Sequence, residues 1–390
     1  MSKNLKIIDL GQHPLADSFL KKNQINKEIK KPLVCFLNKK TGKIFLKSNF
    51  PAKYRYNFID YSYTSSNSKA SKKHWDNFYI KINKDYKIKN KKVLEIGSND
   101  GYLLNKFKKQ NFILGVDASS YMAKLANEKY KVNTLHSVFN YKKSNNMKKK
   151  YGKFDLIIAN NVLNHSDKEI DFLKGVLNLM SNNGVFIFEV PYWTYQIKNF
   201  YFDQIYHEHR SYFTLRYIKY LMRKLNLSLN KIDIVNYHGK SLRIAFVKKN
   251  AEFKNNISKL QKFINQENKE NIFSKKTYLN FMKKINKKKI FYIKKINKLK
   301  KLGYEIAGVG ASAKGNTFLN FLKIDSNIIN RITDASKEKI GKYTPGSHIK
   351  ISNDKYFIDK KKIYALILSW NFSKMLKTKI ISQNKMVKFI

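Results

Sequence analysis

The sequence predicts an α/β fold: a doubly wound parallel sheet flanked by a small N-terminal lobe and a second, smaller α/β unit. Three observations carry this prediction. Short apolar runs alternate with helical patterns over residues 81–250. The first of those runs ends in a loop with two Gly, Gly97 and Gly101. The same order of strand, Gly loop and helix begins again at residue 304.

Composition sets the frame. A chain of 390 residues has room for two or three domains, each with its own core. With 43% hydrophobic residues, 27 Phe and 25 Tyr, a packed interior is available and disorder is not the default. No apolar run approaches the ~18 residues of a membrane span. Residues 1–20 lack a basic start followed by an apolar core, so no secretory signal is expected. The one cysteine, Cys35, cannot form an internal disulfide or a four-Cys zinc site. A cytoplasmic protein with no membrane association is the expectation.

The formal net charge of +52 raises nucleic-acid binding as an alternative. Arg, the side chain that grips phosphates and bases bidentately, supplies only 6 of the 79 basic residues. Lys is spread over almost every segment beside abundant Asn, Ile, Tyr and Phe, a pattern that A/T-rich codons produce without selection for a ligand. No specific nucleic-acid partner is expected. The positive field would steer an anionic small substrate.

Residues 1–80 read as the small lobe. Pro32–Leu46 (PLVCFLNKKTGKIFL) has two short strands around a turn ending in Gly42. Residues 81–250 read as the central unit. Its strands are KKVLEIG, FILGVDAS, FDLIIAN and GVFIFEV, its helices YLLNKFKKQ, SSYMAKLANEKY and KEIDFLKGVLNLM, and a closing pair of strands runs through LSLNKIDIVNYHGKSLRIAFVKK. Residues 251–303 are a Lys-rich helical connector that Gly303 would end. Residues 304–390 form the last unit: the strand YEIAGVG, the loop ASAKGN, the helix TFLNFLK and two further strands.

The chemistry concentrates in three places. Glu95-Ile96-Gly97-Ser98-Asn99-Asp100-Gly101 sits at the carboxyl end of the first central strand, where open parallel sheets bind ligands. Asp117 ends the next strand about 20 residues on, the spacing at which an acid holds ribose hydroxyls. Ala118 follows it, and Asn160-Asn161 end a third strand. The Gly spacing departs from the GxGxxG of a pyrophosphate cradle, so a nucleoside such as S-adenosylmethionine (SAM) is favoured over NAD. The second place is Tyr206-His207-Glu208-His209, joined by His165 from an adjacent strand end. His works as a base near neutral pH, and a neighbouring carboxylate can orient it. The third is the loop Gly308–Asn316, where Lys314, Gly315 and Asn316 open a helix whose N-terminus suits a phosphate. His348, in the turn-rich Gly341–His348, is expected to face it.

With these residues in view, the chain resembles the sugar C-methyltransferases that act on nucleotide-linked keto-deoxysugars. The resemblance runs nearly end to end through LGQHPLADSF, YSYTSS, EIGSNDGYLL, GVDAS, ANNVLNH, EVPYW, FDQIYHEHRSYF, HGKSLR, GVGASAKGNTFLN, GKYTPGSHI and LILSWNF. It implies a class I SAM methyltransferase, Rossmann-like domain between a zinc-binding N-terminal lobe and a C-terminal Rossmann-like domain. It further implies that His209 is the catalytic base, with Tyr206 and Glu208 its partners and His165 a further active-site residue. Either Tyr61 or Tyr63 would line the substrate site. The family's zinc lobe uses two pairs of Cys. Here Cys35 stands alone and Asn38 occupies the place of its mate, so zinc is expected to be absent and the lobe to rest on its apolar core.

The expected function is SAM-dependent C-methylation of a nucleotide-linked keto-deoxysugar by a monomer or homodimer. A non-catalytic SAM- or nucleotide-sugar-binding protein is one alternative, and the retained imidazole–carboxylate–phenol cluster argues against it. An RNA-binding methyltransferase is another, and the dispersed Lys argue against that.

Overall fold

The computed structural model describes residues 4–48, 50, 55, 64–66, 68–237, 239–253 and 255–390. Three sheets organise them. In the lobe, β1 (Leu5–His13) pairs antiparallel with β2 (Lys31–Leu37), and β2 with β3 (Ile44–Leu46). The β2–β3 turn closes because Gly42 takes a φ of +75° and the Asn38 side-chain oxygen accepts the Thr41 amide and hydroxyl. Alternation along β2 buries Leu33, Cys35 and Leu37 on one face. Burial pushes the Cys35 thiol far above its usual range. No three His, Cys, Asp or Glu among the described residues are grouped to hold a metal ion.

The central sheet holds β4 (Lys92–Ile96), β5 (Phe112–Asp117), β6 (Thr134–His136), β7 (Phe154–Ile158) and β8 (Met180–Pro191), with β10 (Leu227–Val235) and β11 (Ser241–Lys248). Their order is β10-β11-β8-β7-β4-β5-β6. Neighbours run parallel except β11, which is antiparallel to both β8 and β10. Both faces are apolar: Phe154, Ile157 and Phe188 pack on one, Val93, Leu156 and Val185 on the other. Strand order turns between β4 and β7, so a crevice opens outside their carboxyl ends. This is the doubly wound, Rossmann-like architecture that the sequence predicts.

Two differences have a physical source. The helix expected over YLLNKFKKQ is one turn, Tyr102–Asn105, followed by a 3₁₀ turn at Lys108–Gln110. Strand β6 and the helix Tyr141–Tyr151 were not predicted. The strand has three residues, and the helix buries only Ser144 and Met147. Neither presents an apolar period long enough to read.

The last sheet is all parallel, in the order β14-β13-β12-β15-β16: β12 is Glu305–Val309, β13 Arg331–Thr333, β14 Ile351–Ser352, β15 Ile363–Ile367 and β16 Lys388–Phe389. The connector is two helices, Ile257–Lys269 and Lys275–Lys301. Gly303, at φ +74°, ends the second, with Tyr304 N–H donating to Leu299 O. Apolar residues of the lobe (Ile7, Leu33, Cys35), the connector (Tyr278, Phe281, Ile285) and the last unit (Phe321, Ile332) form one continuous cluster. Strand β9 (Ser211–Tyr212) leaves the central unit and pairs with β3 of the lobe. No helix among the described residues is long and apolar enough to cross a membrane.

Glu267 ties the connector to the central unit. It is fully buried and accepts from the Thr194 hydroxyl at 3.0 Å and the Leu215 amide at 2.8 Å, so it caps the helix Leu215–Leu225 from outside. Glu267→Ala leaves those donors buried and unpaired. It should cost about 2–3 kcal/mol, read as a lower denaturant midpoint.

Candidate active site

The crevice at the carboxyl edge continues into a cavity of about 660 Å³ closed by all three units. The central sheet supplies its floor. Gly97 takes a φ of +71° directly after β4. A Cβ there would lie 2.2 Å from Val162 Cγ2, so the loop and the β7 edge are packed together at this point. A side chain at Gly97 would therefore crowd the protein itself. Asp117, at the end of β5, accepts the Asn99 and Ser119 amides, each at 2.8 Å. Burial raises its pKa, and those two amides oppose the rise. Glu95 is buried too, held well above the carboxylate range by burial and by Asp100 and Asp117.

Gly97, Asn99, Asp117, Ala118, Asn160 and Asn161 all line this floor. Both polar atoms of the Asn160 side chain are buried without a partner among the described residues. Such a group is able to bond whatever enters the cavity, a ligand or ordered water. Glu95, Ser98 and Gly101 lie behind the lining. Gly101, at φ +78°, starts the short helix and packs within 3.1 Å of Ala126, counting from an added Cβ. Asn99 also accepts the Ser65 amide, and Asp100 accepts the Ser66 amide and hydroxyl, which pins residues 65–66 over the Gly loop. Tyr61 and Tyr63 lie outside the described residues.

The reactive segment forms the facing wall. Tyr206, His209 and His165 line the cavity. His209 Nδ1 is 3.0 Å from the Gln204 carbonyl and Nε2 is 2.6 Å from the Tyr206 hydroxyl. The His165 ring stands edge-on to His209 with centroids 4.9 Å apart. Burial, with the nearby Arg55 guanidinium, lowers the His165 pKa to about 3, so this imidazole is neutral. Glu208 points elsewhere: its Oε1 accepts the Asp17 amide at 2.9 Å. Burial and the Asp17 carboxyl raise its pKa to about 7. The group that orients His209 is therefore a backbone carbonyl and not the neighbouring carboxylate.

The C-terminal unit closes the third side with Lys314 and Trp370. The Lys314 ammonium is buried, has no hydrogen-bond acceptor among the described residues, and lies 5.2 Å from the Trp370 ring centroid. Burial lowers its pKa to about 8, with Asp203 opposing. Asp203 is itself engaged by the Trp370 indole N–H. The other residues predicted here are not in the lining. Gly315 N–H bonds the Ser312 hydroxyl that caps the helix Ala313–Leu322. Asn316 donates to Ala16 O at 2.7 Å, a tie to the lobe. His348 is 2.9 Å from Glu28 in a second lobe contact. Sequence reasoning missed Asp17, Trp75 and Trp370, which reach the cavity from three distant segments. No spacing rule links them. Only the HPLADSF and LILSWNF segments, already singled out, held a hint.

Comparison with known proteins decides the class. A family model described as a methyltransferase domain matches residues 74–232, and one described as a C-methyltransferase C-terminal domain matches residues 236–390. The chain is a SAM-dependent methyltransferase. The C-methyltransferase NovU of Streptomyces niveus is 27% identical over 282 residues, covering 72% of this chain and 67% of that protein. Among solved structures, magnesium protoporphyrin IX methyltransferase from Synechocystis with bound SAM is 13% identical, covering 45% of this chain and 79% of its own at a TM-score of 0.35. A SAM-dependent methyltransferase from Clostridium acetobutylicum is 16% identical, covering 45% and 91% at a TM-score of 0.37.

S-adenosylhomocysteine should bind the wild-type methyltransferase in calorimetry. Gly97→Ala disturbs the packed loop, and Asp117→Ala releases two backbone amides and removes an acceptor. Each should weaken binding about tenfold or more, at least ~1.4 kcal/mol. Wild-type affinity in both variants would move the cofactor away from this edge.

Proposed function

We propose that the enzyme transfers the methyl group of SAM to a carbon alpha to the ketone of a nucleotide-linked keto-deoxysugar. One observation carries the reading. A single cavity joins the polar carboxyl edge of β4, β5 and β7 to an imidazole–phenol pair and to a buried ammonium with no hydrogen-bond acceptor among the described residues. In this reading Asp117 and Asn99 hold the ribose side of the cofactor, and Asn160 and Asn161 its amino-acid end. When bound, SAM supplies the methyl group as an electrophile. His209 takes up the proton lost from the sugar carbon. His165, neutral at working pH, has an N–H to offer the enolate oxygen. Lys314 faces the phosphates. The relationship to NovU and the match to the C-methyltransferase model support carbon as the acceptor atom.

The division of labour follows the units expected from the sequence: a lobe over 1–80, the methyltransferase domain over 81–250, a connector over 251–303 and the C-terminal domain over 304–390. We propose that the lobe works without zinc. The apolar cluster around Cys35 continues into the connector and the C-terminal unit, which supports this. Enclosure by three units keeps water from the enolate and fixes donor and acceptor in line.

A panel of nucleoside-diphosphate-linked 4-keto-6-deoxysugars, incubated with SAM and enzyme, should yield one product heavier by a methyl group in mass spectrometry. With S-adenosylhomocysteine replacing SAM, wild type should exchange the sugar's alpha proton for deuterium, and His209→Asn should not. Turnover of no keto-sugar in the panel would overturn the substrate class.

The Lys314 ammonium is charged below a pKa of about 8 and neutral above it. Affinity for a phosphate-bearing substrate should therefore fall as pH rises through about 8, seen as a rising KM. Lys314→Met should abolish that pH dependence.

A further inference from the structure

We infer that the Asp17 carboxyl group, presented by the N-terminal lobe, accepts a hydrogen bond from a ring hydroxyl of the sugar and so selects substrates that carry it. This inference rests on the proposed C-methylation and names a residue that sets its substrate choice.

The lobe meets the reactive segment through one peptide unit, the bond between Ala16 and Asp17. Its two polar ends are held by two other units of the protein. The Asn316 side-chain amide of the C-terminal unit donates to Ala16 O at 2.7 Å. The Asp17 N–H donates to Glu208 Oε1 of the central unit at 2.9 Å. Ala16 also packs with Tyr206 and Ala313. A planar unit gripped at both edges is fixed in orientation, so Asp17 is held beside the reactive segment. Glu208 and Asn316 are positioning residues that act through this peptide.

The side chain so presented is left over from the protein's own bonding. Asp17 lines the cavity and is half-buried. Neither of its oxygens has a hydrogen-bond or ion-pair partner among the described residues, and neither is sealed off as Glu208 Oε2 is. The Lys339 ammonium acts on it through space but donates to Ala311 O at 2.7 Å. A carboxyl group accepts hydrogen bonds whether ionised or protonated, so the role does not depend on titration. A ligand that fills the cavity takes water from this acceptor, which costs free energy unless the ligand brings a donor.

The chemistry of the substrate narrows that donor. Phosphates and an enolate oxygen carry negative charge, which a carboxylate repels. The ribose of the cofactor belongs, in the proposed arrangement, to Asp117 across the cavity. The hydroxyls of the sugar ring remain, and each has an O–H to give. A site built to bond a hydroxyl rejects the analogue that lacks it far more strongly than an apolar pocket rejects a methylene.

The test uses the intact enzyme, SAM, the nucleoside-diphosphate-linked 4-keto-6-deoxysugar that the mass assay identifies, and its 2-deoxy and 3-deoxy analogues. Wild-type kcat/KM should fall about thirtyfold or more for one analogue, and Asp17→Ala should treat that analogue and the parent alike to within about threefold. Asp17→Asn keeps a carbonyl acceptor and should restore most of the discrimination. Asn316→Ala frees the peptide and should lose part of it; full discrimination there would overturn the positioning role. The unfolding midpoint establishes that each variant is folded, and S-adenosylhomocysteine should bind all of them as it binds wild type. Lower affinity for S-adenosylhomocysteine in folded Asp17→Ala would assign the carboxyl group to the cofactor and overturn the inference. An equal loss on parent and analogues would overturn it too, since a purely structural role has that effect. So would wild-type enzyme that turns over both deoxy analogues as well as the parent, a result that needs no variant. Turnover of no keto-sugar at all would instead overturn the substrate class, and this inference with it.

Discussion

The site depends on the way the chain between Gln204 and Tyr212 is held by its main chain. Arg210 N–H donates to Asn164 O at 2.7 Å, which fixes the segment to the loop carrying His165. His209 N–H closes a turn on Tyr206 O, and Gln204 O fixes the imidazole. Ser211 and Tyr212 then leave the central unit to pair with β3 of the lobe. Backbone bonds at both ends and the middle leave the two rings little freedom. The proposed acid–base role of this pair requires that rigidity.

The same segment is where the three units meet. The Arg210 guanidinium donates to Leu46 O and Ser48 O of the lobe and to Asp167 beyond β7. Arg55 reaches the same Asp167 and the His165 carbonyl. On the other side, Asn316 and Ala313 bring the C-terminal unit against Ala16 and Tyr206. One apolar cluster backs these contacts from the lobe to the last sheet. The lobe is therefore seated by burial of side chains such as Leu33, Cys35 and Leu37 in a core that other units share.

Carboxyl groups gather around the cavity of a strongly basic chain. The chain as a whole carries +52, yet the buried groups at the floor and at the lobe contact include Glu95, Asp117, Asp17 and Glu208, and burial raises the pKa of each. Lys314 is the opposite case, a buried cation whose pKa burial lowers. Low local polarity makes each of these groups sensitive to what enters. The dispersed surface Lys contribute a field that attracts anions but no geometry that selects them.

Much of this was legible in the sequence because it rests on local rules. The alternation of β4, β5, β7 and β8 with amphipathic helices is a matter of period. The Gly42 turn and the Gly303 cap are matters of backbone conformation that a single residue type permits. The carboxyl-edge location of Gly97, Asn99, Asp117 and Asn160 follows from strand ends and sheet topology alone. What the tertiary structure alone decided is pairing across distance. It turned Glu208 toward Asp17 instead of His209, spent Asn316 and His348 on lobe contacts, and brought Trp370 beside Lys314. It also placed the Gln204 carbonyl on His209 Nδ1, five residues along in a turn that no apolar period announces. The physical reason is the same in each case. Periodicity and turn chemistry act over a few residues, whereas a side chain's partner is whichever group the packing of separate units leaves within about 3 Å.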